Sequence, residues 1–389
     1  MPLLVTTLTD SPIVVGLIPA IHSVSYYLPQ LFAANHAESM KRKLPFVALV
    51  GGLLERVPYL LIGIAILLWA QDSPTLILIL LFLGIGTAAM GAGIATPAWF
   101  TMIGKVLPVN RRGMFFGISE GLGALVGIAG AVVVGIVLDT VSYPMNFALL
   151  FLVASVFMGI SWVGLVLNRE PESPIIKKQI PLRHYFQQLP AILRNHHNFR
   201  HFLISYSISR LGMMAVGFFI VFGNKNFNLS GADVGTLTAV LIGSQAVMQV
   251  ILGWMGDKQG HKFNLTISAF AMALAAVFAI IATSFLTLIP AFMLLGTAIA
   301  SDNISKFNIV LEFAVPEDQP TFIGLTNTLL APVTFLGPII GGLIVSALSF
   351  QGMFVVAMCF AIVGGLLLLF WVQEPRHTPP LPISPDAIE

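Results

Sequence analysis

Residues 253–262 read GWMGDKQGHK, a charged and glycine-marked decapeptide between two long apolar stretches. The positions that carry its pattern are Asp257, Lys258, Gly260 and Lys262. Sliding the chain against itself by about 219 positions places Glu38 under Asp257 and Lys43 under Lys262, so a weaker copy lies upstream. Internal repetition that includes long apolar stretches is typical of membrane transporters.

The composition is that of a membrane protein. Hydrophobic residues make up 57% of the chain and charged residues 9%, and the mean hydropathy is +0.92. A chain of this kind cannot bury its apolar surface in a water-soluble fold. Eleven apolar stretches are each near the length of about 20 residues that crosses a bilayer as a helix. They are Ile13–Ala34, Pro45–Trp69, Thr75–Ile103, Met114–Leu138, Phe147–Leu167, His201–Phe222, Ala232–Met255, Leu265–Ala282, Leu286–Leu311, Phe322–Ala347 and Met353–Val372. Because helices satisfy their backbone internally, the prediction is an all-α polytopic membrane protein.

Lysine and arginine are distributed unevenly between alternate loops, which sets the orientation. One set of loops contains fifteen of them and the other contains only Lys225, so the first set is predicted to be cytoplasmic. The fifteen are Lys41, Arg42, Lys43, Lys105, Arg111, Arg112, Arg169, Lys177, Lys178, Arg183, Arg194, Arg200, Lys258, Lys262 and Arg376. Because they fix topology, the net charge of +2 does not point to nucleic acid.

The decapeptide resembles the cytoplasmic loop signature of the major facilitator superfamily of secondary transporters. The shared pattern is a glycine, an aspartate four places on, a basic residue, a second glycine and a basic pair. The resemblance implies two helical bundles of six spans each, whereas this chain has five plus six. The self-alignment puts Met1 opposite Ile220, near the outer end of the helix that opens the second half, so the family's first helix is the missing one. A start site assigned too late, a truncated chain and a true eleven-helix protein remain open as explanations.

Four segments follow from this pattern. They are an N-terminal bundle (1–168), a cytoplasmic linker (169–200), a C-terminal bundle (201–373) and a disordered cytoplasmic tail (374–389). In the linker, Phe186, Leu189 and Leu193 recur at helical spacing, which predicts a helix on the membrane surface, with a solvated linker as the alternative.

Enzymatic chemistry finds little support in the sequence. There is no GxxxxGK[ST] loop for nucleotide phosphates. Gly121, Gly123 and Gly127 echo a dinucleotide fingerprint, but they lie inside an apolar stretch, which favours close helix packing. The chain is therefore predicted not to be an enzyme and to need no cofactor or metal.

Six charged residues stand out well inside the apolar stretches: Glu55, Arg56, Glu120, Arg210, Asp302 and Lys306. A charge there costs roughly 2.5 to 3.5 kcal/mol on insertion scales, so it is expected to face a cavity or a partner. The six charges sum to zero, which fits a functional polar network and structural neutralisation equally well.

The pair Asp302 and Lys306, with Asn303 between them, belongs to the most polar part of any span. A spacing of four places the two charges on one helix face at salt-bridge distance, so they are expected to pair or to serve a ligand. The resemblance makes this span the family's tenth helix, one that lines the cavity. Arg210 falls in the seventh, which also lines it, and its candidate partners are a substrate anion, Asp302 and Glu55.

The remaining candidates are weaker. Glu55 and Arg56 are about 100° apart around a helix, so they are not expected to face one partner. Either one of them faces the cavity or both serve a structural pairing. Glu120 is a candidate proton carrier or a hydrogen-bonding packing residue. His22 and Tyr26 add polar and aromatic lining to the first span, or anchor it at the membrane interface.

The loop signature predicts a mechanical role. Asp257 is expected to lie against the positive end of the helix that starts near Met114, beside Arg111 or Arg112, and to latch the outward-open state. Glu38 is expected to do the same for the helix that starts near Thr321, although the upstream copy lacks both loop glycines. The alternative is that these charges only fix topology.

The functional prediction is a secondary transporter that moves a small organic solute by alternating access. Proton coupling through Asp302, Glu55 and Glu120 is a further hypothesis. The expected setting is the bacterial cytoplasmic membrane, with lipid, a small-molecule substrate and protons as partners, and with no nucleic acid or obligate protein partner. The alternative is a non-transporting membrane receptor or an inactive transporter remnant.

Overall fold

The computed structural model of the protein describes residues 2–9, 12–173, 181–229 and 231–377. These residues form helices, turns and short connections, and no strand occurs among them. The helices are α1 (Pro2–Leu8), α2 (Pro12–Tyr27), α3 (Gln30–Glu38), α4 (Leu44–Trp69), α5 (Pro74–Val106), α6 (Arg112–Thr140), α7 (Met145–Val166), α8 (Leu182–Asn195), α9 (His197–Phe227), α10 (Gly231–Gln259), α11 (His261–Ile281), α12 (Phe285–Phe313), α13 (Gln319–Ala347) and α14 (Phe350–Phe370). The predicted all-α class is confirmed.

Within the described residues, ten helices are long and apolar enough to cross a membrane, by length and composition. The sequence predicts eleven such stretches. The remaining one, Ile13–Ala34, is divided into α2 and α3 at Leu28 and Pro29. Proline ends the helix there because it has no N–H to donate to the preceding turn.

The chain divides into two compact units, each made of three segments. Unit 1 contains Met1–Val106, Gly127–Tyr185 and Pro316–Ala331, and unit 2 contains Leu107–Val126, Phe186–Val315 and Pro332–Glu389. The first part of α6 therefore belongs to unit 2, and the first part of α13 belongs to unit 1. The predicted halves 1–168 and 201–373 remain a prediction about chain order.

The core of unit 1 lies mainly between α4, α5 and α7. Ile66, Ile77 and Leu81 are at most 1% exposed there, and Leu4 of α1 is fully buried in the same cluster. On its outer surface, α7 exposes Val156, Phe157 and Ile160 by more than 60% each. A row of large exposed apolar side chains on a long helix is the face that lipid covers.

The core of unit 2 combines aromatic side chains with alanine. Phe219 of α9 and Phe354 of α14 pack ring to ring at 4.8 Å and are fully buried. Facing residues on α11, such as Ala275, Ala276 and Ala279, are fully buried as well. Small residues allow the membrane helices to approach closely, which is the packing that lipid-embedded bundles use.

Two connecting segments contain helical structure. The linker forms α8, whose buried residues are Tyr185, Leu189 and Ile192, so its buried face differs from the predicted one in all but Leu189. At the start of the predicted tail, Pro375–His377 forms a 3-10 turn. Arg376 fixes this turn by donating from Nε to Glu312 at 2.7 Å. Residues 378–389 of the predicted tail lie outside the described residues.

Candidate functional site

A buried carboxylate in unit 2 joins α9 and α12. Arg210 donates from Nη1 to Asp302 Oδ2 at 2.6 Å, and the Tyr206 hydroxyl donates to Asp302 Oδ1 at 2.6 Å. Tyr206 and Arg210 are four residues apart, so α9 presents both on one face. Asp302 is only 3% exposed, and its charge is balanced by a charge-assisted pair and a hydroxyl. Of the three partners that the sequence leaves open for Arg210, the structure has Asp302.

Of the two alternatives for Asp302 and Lys306, a mutual ion pair is not the one that the structure has. Both oxygens of Asp302 are already occupied from α9, and Lys306 Nζ instead lies over the Phe307 ring, 5.0 Å from its centroid. No ion pair of Lys306 is found in the part of the chain that the structure describes. The charges close enough to act on it electrostatically are Asp302, Arg210 and Glu120. Lys306 is thus a half-buried ammonium inside a membrane span with no acid in contact.

Asn303 and Glu120 complete this region on its exposed side. Asn303 follows Asp302 on α12 and is exposed, as is Glu120 on α6. Glu120 acts on Lys306 through charge and not through a direct ion pair. The charges in this region of unit 2 are two positive, Arg210 and Lys306, and two negative, Asp302 and Glu120, so their formal sum is zero.

Glu55 and Arg56 lie in unit 1 and pair with each other, in line with the structural pairing that the sequence leaves open. Arg56 Nη1 is 3.1 Å from Glu55 Oε2. The reason is a π-helical turn, Gly51–Arg56, which widens α4 at this point. Arg56 also donates to the carbonyl of Gly51 at 2.8 Å, so the guanidinium curls back along its own helix to reach its neighbour.

His22 and Tyr26 are one turn apart on α2 with stacked rings, their centroids 6.3 Å apart. The Tyr26 hydroxyl accepts a hydrogen bond from Thr96 of α5 at 3.2 Å. His22 is exposed and Tyr26 is half-buried. In this arrangement Tyr26 joins α2 to α5, and His22 remains the accessible member of the pair.

The predicted contact of Asp257 with a helix start is present. Its Oδ1 accepts the backbone N–H of Gly113 at 2.7 Å, and its Oδ2 accepts that of Met114 at 2.8 Å. These N–H groups belong to the first turn of α6, where the partial positive charge of the helix favours an anion. We refer to this arrangement in unit 2 as the Asp257 contact.

Close backbone approach makes the Asp257 contact possible. A Cβ added to Gly113 would lie 2.5 Å from the carbonyl oxygen of Gly253, so both helices require glycine where they cross. Gly121 continues the same stripe against Ala246, in line with the predicted packing role. Gly123 and Gly127 do not share it, because a Cβ at either would meet no atom within 4 Å.

Other residues of the signature surround this contact in different ways. Arg112 is buried, donates to the carbonyl of Leu107 at 3.2 Å and acts electrostatically on Asp257, whereas Arg111 is exposed. Lys258 lies over the Trp254 ring at 4.1 Å. Lys262 caps α14 by donating to the carbonyl of Leu369 at 2.9 Å, and Gly260 adopts a φ of 93°, which favours glycine.

The upstream copy makes the corresponding contact in unit 1. Glu38 Oε1 accepts the backbone N–H of Thr321 at 3.2 Å and also accepts the Thr321 hydroxyl in a short hydrogen bond. The Tyr185 hydroxyl from α8 is 2.8 Å from the same Thr321 oxygen. Burial and the nearby Glu38 raise the pKa of Tyr185, so it stays protonated and able to donate. We refer to this arrangement as the Glu38 contact.

Beside the Glu38 contact lies a second charged group. Glu170 pairs with Lys105 and accepts the backbone N–H groups of Lys43 and Leu44 at 2.7 and 2.6 Å, which caps α4. Lys43 is itself buried, and that burial, reinforced by the nearby charge of Lys105, lowers its pKa to about 8. The linker residue Glu170 therefore anchors the start of a membrane helix.

Sequence reasoning missed several of these residues. Glu312 and Arg376 fall just beyond the predicted spans, so neither counts as a charge inside one. Tyr206 and Tyr185 bond to partners that lie 96 and 136 positions away along the chain. A signal for Tyr206 was available, because it is one turn before Arg210 in a span with no acid of its own.

The chain matches a known protein family over nearly its whole length. The family model for the Major Facilitator Superfamily matches residues 1–204 and again residues 202–387. A relative in Bacillus subtilis (strain 168), the "Uncharacterized MFS-type transporter YdgK", is 28% identical over 146 residues. That match covers 38% of this chain and 36% of the relative, so it spans about a third of the relative's length.

Solved structures share the fold over nearly the whole chain. A bacterial homologue of the iron transporter ferroportin, in an outward-facing state, has a TM-score of 0.74 at 11% identity, covering 95% of this chain and 93% of that one. The transporter FucP, in the outward conformation, has a TM-score of 0.73 at 13% identity, covering 94% and 91%. At these identities the likeness concerns the fold alone.

Proposed function

The chain belongs to the Major Facilitator Superfamily, and we propose that it is a secondary transporter that moves a small organic solute by alternating access. Proteins of this family act within the membrane on small molecules. The observation that carries the proposal is Lys306, an ammonium inside a membrane-spanning helix with no acid in contact among the described residues. An intramembrane charge without a partner is expected to serve a ligand or a pathway.

The proposed substrate site is built around Lys306 and Asn303. The Arg210–Asp302 pair fixes α9 against α12 beside them and is itself satisfied, so it orients the site and does not bind the solute directly. An ammonium and an amide together offer donors to an oxygen-rich group. Since the local charges already sum to zero, the favoured solute carries a carboxylate or another acceptor group but is small in net charge.

Proton coupling remains a second part of the proposal. Asp302, Glu55 and Glu120 are the acids within the spans that the sequence singles out. Asp302 is held by Arg210, so a proton arriving there would release α9 from α12, which is a physical route from protonation to helix movement. If Asp302→Asn, Glu55→Gln and Glu120→Gln together left pH-driven uptake intact, this part would be abandoned.

The two helix-end contacts complete the mechanism. The Asp257 and Glu38 contacts hold a carboxylate against the start of a helix, and we propose that both open during the transport cycle.

The cellular location belongs to the proposal as well. The charge bias of the loops supports a cytoplasmic location for these contacts in a bacterial inner membrane.

The substrate site is tested with a solute screen on purified protein. Thermal stability is measured against a panel of short-chain mono- and dicarboxylic acids, amino acids and sugars, and solutes that stabilise the protein are tested for counterflow in proteoliposomes. Lys306→Gln should weaken binding of the stabilising solute about tenfold, since it removes a charge-assisted hydrogen bond. Lys225→Gln is the matched control, because Lys225 also lies over a ring, that of Phe350 at 5.5 Å, but outside the proposed site.

The outcomes separate transport from reception. Counterflow that is lost in Lys306→Gln and kept in Lys225→Gln supports the proposal. Binding of a solute without counterflow, in protein that is folded and correctly inserted, contradicts transport and favours a receptor. Equal binding by both variants removes Lys306 from the site.

A further inference from the structure

Unit 1 contains a groove between α4 and α7 that no step of the proposed transport uses. We call it the lateral groove. It has a volume of about 480 Å³ and is lined by Leu49, Leu53, Leu60, Val156, Gly159 and Arg56, among others. Leu49, Leu53 and Val156 are each more than half exposed, so the groove opens on the surface that lipid covers. A volume of this size is in the range of small-molecule sites.

The local backbone builds the groove. Pro58 cannot donate to the turn before it, and α4 widens into the π turn Gly51–Arg56 just ahead of this proline. Trp162 of α7 leans across Gly52 and donates from its indole nitrogen to the carbonyl of Ala48 at 2.8 Å. A Cβ on Gly52 would lie 2.7 Å from that nitrogen, so the wall requires glycine here.

The lateral groove has a single charged lining residue. Arg56 donates from Nε to the carbonyl of Met158 at 3.1 Å and from Nη1 to Gly51 and Glu55. Its Nη2 has no acceptor among the described residues. The guanidinium is therefore fixed in place on one side, with donors left over on the other, beside an otherwise apolar wall.

We propose that the lateral groove binds a single-chain carboxylic acid that enters from the bilayer. The chain lies along the leucine and valine wall, and the carboxyl oxygen accepts a hydrogen bond from Arg56 Nη2. The arrangement matches both halves of such a molecule, because the apolar wall suits the chain and the remaining guanidinium nitrogen, Nη2, can donate to a carboxyl oxygen. The proposal does not depend on the proposed solute site around Lys306 and rests on the membrane setting of α4 and α7.

Depth in the membrane favours this occupant over a phospholipid. Arg56 lies twelve residues after Leu44 in α4, so it is about 18 Å from that end of the helix, near the middle of the span. A phosphate headgroup would have to leave the interface to reach it, at the high cost of a charge in hydrocarbon. A carboxylic acid in its protonated form carries no charge and reaches this depth more readily.

The test uses a photoreactive long-chain fatty acid with purified full-length protein in lipid nanodiscs. Crosslinked peptides are identified by mass spectrometry, and labelling is measured against increasing amounts of unlabelled fatty acid. We expect saturable labelling confined to peptides of α4 and α7. Labelling that does not saturate, or that spreads along all exposed helices, would overturn the proposal.

Two glycines of α7 provide matched variants. A Cβ at Gly159 or at Gly164 would meet no atom within 4 Å, so a leucine at either position has space and the fold should tolerate both. Gly159 lines the lateral groove and Gly164 does not. Gly159→Leu should lower saturable labelling about tenfold, whereas Gly164→Leu should keep it near wild type. Equal labelling of the two variants would contradict the site.

The head group is tested by competition. A fatty acid should displace the probe at about tenfold lower concentration than the fatty alcohol of the same chain length, because beside Arg56 the acid can bind as an anion, which is a stronger hydrogen-bond acceptor than the neutral alcohol. Arg56→Gln should remove this preference. Equal competition by acid and alcohol in the wild type, or displacement by a diacyl phospholipid alone, would overturn the assignment of a carboxylic acid.

Discussion

The Asp257 contact and the Glu38 contact hold a carboxylate against the first turn of a helix in two different ways. Asp257 has a short side chain, and both its oxygens accept backbone N–H groups, those of Gly113 and Met114. Glu38 has a longer side chain and accepts one backbone N–H and one hydroxyl, both from Thr321. A shift of about 219 positions relates the two acids in sequence. Both copies of the repeat therefore have a carboxylate at a helix start, but the groups that donate to it differ.

Backbone separation explains the difference. In unit 2 glycine lies on both sides of the crossing, at Gly113 and Gly253, and the helices approach closely enough for an aspartate. In unit 1 Gly324 faces Leu31 and Ala34, so only one side is glycine and the gap is wider. In unit 1 the longer side chain of Glu38 and the Thr321 hydroxyl, which is bonded to Tyr185, bridge this wider gap by hydrogen bonds. One contact therefore depends on glycine, and the other on a side-chain network.

Alanine substitution at the crossings should show the largest difference. Gly113→Ala places a Cβ 2.5 Å from a backbone oxygen and should lower the free energy of unfolding by about 1 to 3 kcal/mol. Gly324→Ala, with its nearest neighbour at 3.1 Å, should cost less than about 1 kcal/mol. Thermal denaturation in detergent measures both. Gly123→Ala, which meets nothing within 4 Å, is the control on α6, and an equal loss in all three would refute the explanation by glycine.

The two copies of the loop also differ at the position of Gly260, which is a glycine only in the downstream copy. Gly260 has a φ of 93°, and a Cβ there would also run into the carboxylate of Glu374. Gly260→Ala should destabilise the protein by about 1 to 2 kcal/mol. The corresponding position upstream is the exposed Lys41, where Lys41→Ala should change stability by less than about 0.5 kcal/mol. Thermal denaturation of the pair tests this, and similar losses would mean that the loop conformation is not what distinguishes the copies.

Removing the Tyr185 hydroxyl should weaken only the Glu38 contact. Tyr185→Phe keeps the buried ring and deletes the 2.8 Å hydrogen bond to Thr321, at a cost of about 0.5 to 1.5 kcal/mol. Hydrogen exchange at the Thr321 amide should become faster, because the Thr321 hydroxyl is then no longer oriented toward Glu38 by Tyr185. Unchanged exchange at Thr321 would show that α8 plays no part in the contact.

The smallest expected effect is a pH dependence near the Glu38 contact. Burial lowers the pKa of Lys43 to about 8 in the folded protein, below its ordinary value of 10.5. Between these two values the unfolded chain binds more protons than the folded one, so stability should rise as the pH increases from 8 to about 10.5. Lys43→Met should flatten the rise in melting temperature over this window. If the wild type and the variant show the same slope, Lys43 is not the group responsible.

The sequence predicts the fold well for physical reasons that are local. Long apolar runs, their number to within one, and the carboxylates of the two loops can all be read along the chain. The exception, Ile13–Ala34, fails at Pro29, where a local breaker outweighs the hydropathy of the run. The contact of Asp257 with a helix start also follows from chain order and the charge at helix ends.

The candidate site is predicted less completely because its contacts are between distant segments. The spacing of Asp302 and Lys306 suggests a pair, yet both oxygens of Asp302 accept hydrogen bonds from Tyr206 and Arg210 of another helix. Ideal helical spacing likewise separates Glu55 from Arg56, and a π turn brings them together. Tertiary partners and local helix irregularity are the information that periodicity lacks.

We propose that the Asp257 and Glu38 contacts, which both open in the proposed transport cycle, open together in one conformational transition. The most direct test is hydrogen exchange in liposomes on Asp257→Asn, with Lys258→Gln as the control for a neighbouring charge. The account predicts at least about tenfold faster exchange at Gly113 and Met114, because the charge-assisted bonds to their N–H groups are weakened, and a parallel rise at Thr321. Faster exchange at Gly113 and Met114 with no change at Thr321 would contradict the claim, since the two contacts would then open independently.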